Sequence, residues 1–285
     1  MSSLTTAYEN VSATNARIVF PEWDSPRIVE ARKQLIDRQL ATPVPLADPS
    51  DAQVEVLMSG RGIKEGLARK MLGRPMIRAA AMVACGEADL LVAGVETTSR
   101  RVIEAAGLAI GLADGVVAPS SFFLMVFPDG REFVFADCAV SVAPTVDELE
   151  AIARATERSG RALFGEARVA LLSFSTGKSG IGDSVDLVRE VSQRTGFPGP
   201  IQADAALNPV VADHKGLGQG NANVLVFPSL DAGNIAYKLC TELASAQAVG
   251  PILQGFRKPV CDLSRSAKPD EIVAASVVAL ALRQS

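Results

Sequence analysis

Four times along this 285-residue chain, a short apolar run gives way to a stretch with helical spacing. "RIVF" (17–20) precedes "SPRIVEARKQLIDR", and "DLLVAGV" (89–95) precedes "TTSRRVIEAAGLAIGL". "ARVALLSFS" (167–175) precedes "DSVDLVREVSQRTG", and "NVLVFPSL" (223–230) precedes "NIAYKLCTELASAQA". Parallel strands cannot be joined by a tight turn; each crossover needs a dozen or more residues, usually a helix. The alternation therefore predicts α/β units on a mostly parallel sheet. One segment departs from it. "SFFLMVF" and "EFVFADC" flank Pro128-Asp129-Gly130, which reads as an antiparallel hairpin. Thr145 and Glu148 have capping-box spacing at the start of a further helix. At roughly 100–200 residues per domain, the length suggests two domains. "ADGVVAPSS" (113–121) is the natural crossing between them, and a cleft between two such halves is where a small ligand would sit.

Composition narrows the function. There are 28 basic and 32 acidic residues, a net charge of −4, so the basic excess of a nucleic-acid binder is missing. The late apolar run "AASVVALAL" is far short of the ~18 residues needed to span a bilayer. "MSSLTTAYEN" carries no apolar signal segment, so the expectation is a soluble, cytoplasmic protein. Cys85, Cys138, Cys240 and Cys261 are scattered, which predicts neither a zinc site nor a disulfide framework. His214 is the single histidine, so a catalytic triad or a histidine metal site would rest on it alone.

Three junctions could carry chemistry. In "KPVCDLSRSAKPDEIV" (258–273), Pro269 suits the first helical position, and Asp270 and Glu271 complement the helix dipole. Ser264 and Arg265 precede that helix, where a guanidinium suits bidentate contact with phosphate or carboxylate. The loop "SFSTGKSGIG" (173–182) offers Ser173, Ser175, Thr176 and Gly177 between a strand and a helix, either as an anion loop or as an ordinary connection. It misses a Walker A motif because the first glycine position is Leu172. In "LDAGNIAYK" (230–238), Asn234 is read as a helix cap, or with Lys238 one turn later as a ligand contact. The basic run Arg61, Lys64, Arg69, Lys70, Arg74 and Arg78 fits a solvated helix face. Arg100 and Arg101 stand at a helix start, where the dipole disfavours cations.

Nine segments, in order from residue 17 to residue 273, resemble the phosphate acetyl/butyryltransferase family, most closely its phosphotransacetylases. They are "RIVFPEWDSPR", "GEADLLVAGVETT", "SSFFLMVF", "FADCAV", "LSFST", "IQADAALNPVVADHK", "ANVLVFPSLDAGNIAYK", "GPILQGFRKPVCDLSR" and "DEIV". The resemblance implies two α/β domains with mostly parallel sheets and an interdomain cleft, the second domain inserted in the first. That architecture is like isocitrate and isopropylmalate dehydrogenases, and it places 1–116 with 254–285 in one domain and 117–253 in the other. It implies reversible transfer of an acetyl group between acetyl phosphate and coenzyme A, with coenzyme A as a substrate, no further cofactor, no metal, and a homodimer. The family's reactive serine and arginine fall on Ser264 and Arg265, and its aspartate base falls on Glu271, with Asp270 beside it. Substrate contacts are expected from Arg27, Thr97, Thr98, Arg100, Arg101, Ser173, Ser175, Thr176, Gly177, Asn234, Tyr237 and Lys238.

The match departs at Glu104 and Glu242, where the family commonly has arginines, and at Pro198-Gly199-Pro200, which replaces an acidic segment. These departures leave room for a modified member that acts on another short acyl phosphate, or that binds coenzyme A without turnover. A decarboxylating dehydrogenase of similar architecture would need a dinucleotide motif and an acidic metal cluster, and neither is legible.

Overall fold

The computed structural model describes residues 2–12, 14–217 and 220–284, without the side chains of Arg61 and Gln284. The chain forms two compact units, Met1–Pro119 with Val249–Ser285, and Ser120–Ala248.

The first unit opens with α1 (Ser3–Ser12), a helix the polar N-terminal composition does not announce. There follow β1 (Arg17–Val19), α2 (Pro26–Asp37), β2 (Thr42–Val44), α3 (Asp51–Arg61), α4 (Glu65–Leu72), α5 (Pro75–Ala84), β3 (Leu90–Ala93) and α6 (Ser99–Ala109). The second unit holds β4 (Ser120–Val126), β5 (Glu132–Ala136), α7 (Val146–Phe164), β6 (Val169–Leu171), α8 (Asp183–Thr195), α9 (Ala203–Leu207), α10 (Pro209–His214), β7 (Val224–Val226) and α11 (Leu230–Ala244). The chain then passes along β8 (Gln247–Gln254) to β9 (Val260–Asp262) and α12 (Pro269–Ala281) of the first unit.

In the first unit the strand order is β2-β1-β3-β9-β8. The pairings β1–β2, β1–β3 and β3–β9 are parallel, and β8–β9 is antiparallel. In the second unit the order is β4-β5-β7-β6, parallel except for the β4–β5 hairpin. The expected mixed α/β fold with a mostly parallel sheet is thus present. The strands are buried on both faces (all of β3, β6, β7 and β9), as parallel sheets covered by helices require.

The predicted hairpin turns at Asp129-Gly130, where Asp129 accepts the Arg131 amide at 3.1 Å. The predicted capping box is formed. Thr145 accepts from the Glu148 amide at 3.3 Å, and Glu148 accepts from the Thr145 amide at 2.8 Å. All but the last residue of the run "AASVVALAL" lies in α12, whose residues from Ile272 to Leu280 are all buried. A helix apolar all round belongs in a core, and α12 packs against α1, α2, β3 and β9. Among the described residues, no helix is long and apolar enough to cross a membrane. All four cysteines are free.

Candidate active site

The turn between β9 and α12 carries Ser264 and Arg265. Buried Leu263 and Ala267 pin its two ends, while Ser264, Arg265 and Ser266 are exposed. The Ala267 amide donates to the Ser264 carbonyl at 2.9 Å, closing the turn. The hydroxyls of Ser264 and Ser266 are 2.8 Å apart, and the Ser266 amide donates to the Ser264 Oγ at 3.3 Å. Among the described residues, no carboxylate pairs with the Arg265 guanidinium, so its charge is open to an incoming anion.

Pro269 opens α12 as its spacing predicts. Glu271 turns back and accepts the Lys268 amide at 3.0 Å, satisfying one of the orphan donors of the helix start. Asp270 is exposed, and its charge helps to raise the Tyr8 phenol, though burial of that ring is the larger cause. Of the two acids, Glu271 is therefore the one already engaged in capping.

A second loop lies against this turn. It follows β3 and carries Thr97 and Thr98 into α6. Gly94 permits the approach: its φ is +112°, and a Cβ there would sit 2.6 Å from the Leu263 carbonyl and 2.8 Å from Asp262 Oδ1. The Leu263 amide donates to the Ala93 carbonyl at 2.6 Å. Glu22, on the turn before α2, inserts its carboxylate beneath the loop. Oε2 accepts the amides of Gly94 (2.9 Å) and Val95 (3.0 Å), and Oε1 those of Glu96 (3.0 Å) and Thr97 (2.8 Å). Arg27, one turn into the same stretch, does the reverse. It donates to the carbonyls of Val95 (2.8 Å), Arg265 (2.6 Å) and Ala267 (3.3 Å). The structure thus joins Arg27, the Thr97 loop and the Ser264-Arg265 turn in one constellation.

Beneath them lies Asp262, 1% exposed, at the end of β9. Its Oδ1 is buried without a hydrogen-bond partner. Burial pushes its carboxyl up to about 6; a hydrogen bond with Ser99 opposes the shift and the nearby Glu22 charge adds to it. Glu22, Gly94 and Asp262 all lie inside the quoted segments, yet sequence reasoning assigned none of them a role. Their partners are too far away in sequence to be read from local pattern.

The remaining first-unit candidates are placed as follows. Thr98 occupies the cap position of α6 without a side-chain capping bond. Arg100 forms a salt bridge with Glu104 at 2.7 Å, which offsets its charge at the helix start, and Arg101 is exposed.

In the second unit, the loop 173–182 is tied to itself and to the segment that follows α8. The Ser175 amide donates to Ser173 Oγ (3.2 Å), the Thr176 amide to Ser179 Oγ (3.0 Å), and the Gly177 amide to the Pro200 carbonyl (2.9 Å). Thr176 Oγ1 also pairs with Gln202, donating to its Oε1 at 3.2 Å and accepting its amide at 3.1 Å. Asn234 is not the helix cap that one sequence reading makes it. Ser229 caps α11, accepting the Ala232 amide at 3.3 Å, because the helix begins at Leu230 rather than at Asn234. Asn234 instead donates to the Cys138 carbonyl at 3.0 Å. Gly233 beside it leaves no room for a Cβ against the Asp137 carbonyl. The Lys238 ammonium sits 5.1 Å from the centre of the Tyr237 ring, and that ring stacks on Phe123 at 4.3 Å.

Among the described residues, no group of three or more histidine, cysteine or acidic side chains could hold a metal ion. Burial raises the thiols of Cys138 and Cys261, so neither is an activated nucleophile.

The sequence model of the phosphate acetyl/butaryl transferase family matches residues 52–280. The chain belongs to that family. It is 39% identical to a phosphate acetyltransferase of Nitrosomonas europaea over 91% of its own length, and spans 43% of that relative. It is 33% identical to the phosphate acetyltransferase of Acetivibrio thermocellus, covering 98% of this chain and 97% of the other. Among solved structures, a phosphotransacetylase from Streptococcus pyogenes superposes with a TM-score of 0.90 at 30% identity, covering 99% of this chain and 98% of that one. This family member therefore spans under half of one relative and nearly the whole of another. The shared region includes the Ser264-Arg265 turn.

Proposed function

We propose that this protein is a phosphate acetyltransferase that moves an acetyl group between acetyl phosphate and coenzyme A. The observation that carries the reading is the Ser264-Arg265 turn: an unpaired guanidinium and a hydroxyl, at the start of a helix whose first turn bears Asp270 and Glu271, in a chain of this family. Arg265 binds the phosphoryl oxygens of acetyl phosphate and offsets their charge as phosphate departs. Ser264 donates to the carbonyl oxygen, where negative charge grows in the tetrahedral transition state. A carboxylate of the Asp270-Glu271 pair takes the coenzyme's thiol proton. A free thiol has a pKa of ~8.5, so a few per cent is thiolate at neutral pH, and a positioned base contributes about 10²–10⁴ in rate. Sulfur then bonds to the acetyl carbon as the carbon–oxygen bond to phosphate breaks. The working form is a cytoplasmic homodimer.

The test is direct: mix the purified protein with coenzyme A and acetyl phosphate and follow thioester absorbance. Arg265→Ala lowers turnover about 10²–10³-fold, the usual loss for a transition-state charge partner. Full activity in that variant removes Arg265 from the mechanism. Comparing Asp270→Asn with Glu271→Gln identifies the base as the one whose loss lowers kcat about 10²–10⁴-fold and leaves a rate that climbs with pH as the free thiol ionises.

A second reading has one observation in its favour. Glu104 stands where the family commonly has an arginine, and it neutralises Arg100. A member that binds coenzyme A without turnover would give a calorimetric binding signal and no thioester.

A further inference from the structure

We propose that Glu22 is a positioning residue for this reaction: through the Gly94–Thr97 loop and Arg27 it fixes the backbone of Arg265. The inference rests on the acyl-transfer reading above and adds to it a residue that touches no substrate.

Four consecutive amides converge on one carboxylate, two on each oxygen. Convergent backbone N–H groups of this kind ordinarily form a cradle for an external anion. Here the chain fills its own cradle, so the loop does not receive a substrate phosphate there. Its amides are spent on holding its shape. The carbonyl side of the same loop is held by Arg27, whose guanidinium spans from Val95 to the carbonyls of Arg265 and Ala267. An unbroken path of hydrogen bonds thus runs from Glu22 to the loop, to Arg27, and to the main chain of the arginine that meets phosphate.

The two loops also approach closely: the Leu263 amide donates to the Ala93 carbonyl at 2.6 Å, and Gly94 has no room for a Cβ against Leu263 and Asp262. Glu22 and Arg27 lie five positions apart, on the turn before α2 and on its first turn, so one local element grips both loops with opposite charges.

Glutamine at position 22 keeps the size but replaces one acceptor oxygen with an N–H₂ donor facing two amide hydrogens. The experiment compares wild type, Glu22→Gln, Arg265→Lys and the double variant, measuring kcat, both KM values, and hydrogen exchange at the amides of residues 94–97. Glu22→Gln is expected to lower kcat about tenfold to a hundredfold, as misplacement of a reacting group does. Both KM values should stay within about threefold, and amide protection should fall at 94–97 alone. In the Arg265→Lys background the same change should cost under about threefold, since the group it positions is already impaired. Equal fractional losses in both backgrounds, or an unchanged kcat with lost amide protection, overturns the proposal. An inactive wild type is a different failure and sinks the reaction itself. If Glu22→Gln does not fold, Glu22→Asp serves: it keeps the charge, sits one methylene short, and should lower kcat without changing KM.

Discussion

Two strand-to-helix loops of similar appearance in the sequence are held in opposite ways. The loop after β3 takes its amide partners from Glu22, more than 70 positions earlier. The loop after β6 takes its amide partners from its own Ser173 and Ser179 hydroxyls and Thr176 carbonyl, and from the Pro200 and Ile201 carbonyls in the segment just after α8. Both are rich in glycine and hydroxyl residues, and either could have been read as an anion cradle. Of the two, the first is tied through Arg27 to the Ser264-Arg265 turn. A loop satisfied locally is a self-contained piece; a loop satisfied at a distance transmits strain and position between elements.

Glycine substitutions test that contrast most sharply. Gly94→Ala forces a Cβ into the Leu263 backbone at φ +112°, and should cost about 3–5 kcal/mol and most of the activity. Gly177→Ala also meets a positive φ, +58°, but nothing lies within 4 Å of the added carbon. It should cost about 1–2 kcal/mol by denaturant melt. Equal costs at the two positions would break the distinction.

Asp262 sharpens it by pH. Burial raises its carboxyl from 3.8 to about 6, so between those values the native chain holds a proton there that the unfolded chain has released. The Asp262 contribution therefore makes stability fall as pH rises through that window, by about 3 kcal/mol in all. Asp262→Asn should match wild type near pH 4 and exceed its stability by up to about that amount at pH 7. A pH profile of melting that is identical for both proteins would show the carboxyl titrating normally. The smallest effect is expected at Ser179→Ala. It removes the acceptor of the Thr176 amide and a contact with Ser175 at 3.1 Å, in an exposed part of the loop. A loss of about 0.5–1 kcal/mol is expected, with kcat unchanged. A large catalytic defect there would mean that the second loop, too, acts at a distance.

The legible parts of this protein were those whose cause is local. The strand–helix alternation, the Asp129-Gly130 hairpin, the Thr145–Glu148 capping box and Pro269 at the start of α12 are each written within a few residues, because period, turn chemistry and capping act over one or two turns. Asn234 shows the limit. Its cap reading failed because the helix started one turn earlier, at a serine that suits the role equally well. Helix α1 was missed because its apolar face is narrow, with Ala7 and Val11 buried against α12 at the other end of the chain.

The sequence by itself determined the fold class and pointed to the Ser264-Arg265 turn, since short-range pattern and ordered family segments are both one-dimensional information. Tertiary structure alone decided that Glu22 fills the Gly94–Thr97 amides, that Arg27 grips three carbonyls, and that Asp262 lies buried beneath them. The physical reason is that hydrogen bonds and desolvation depend on distance in space, and these partners are brought together only when parallel strands align elements far apart along the chain.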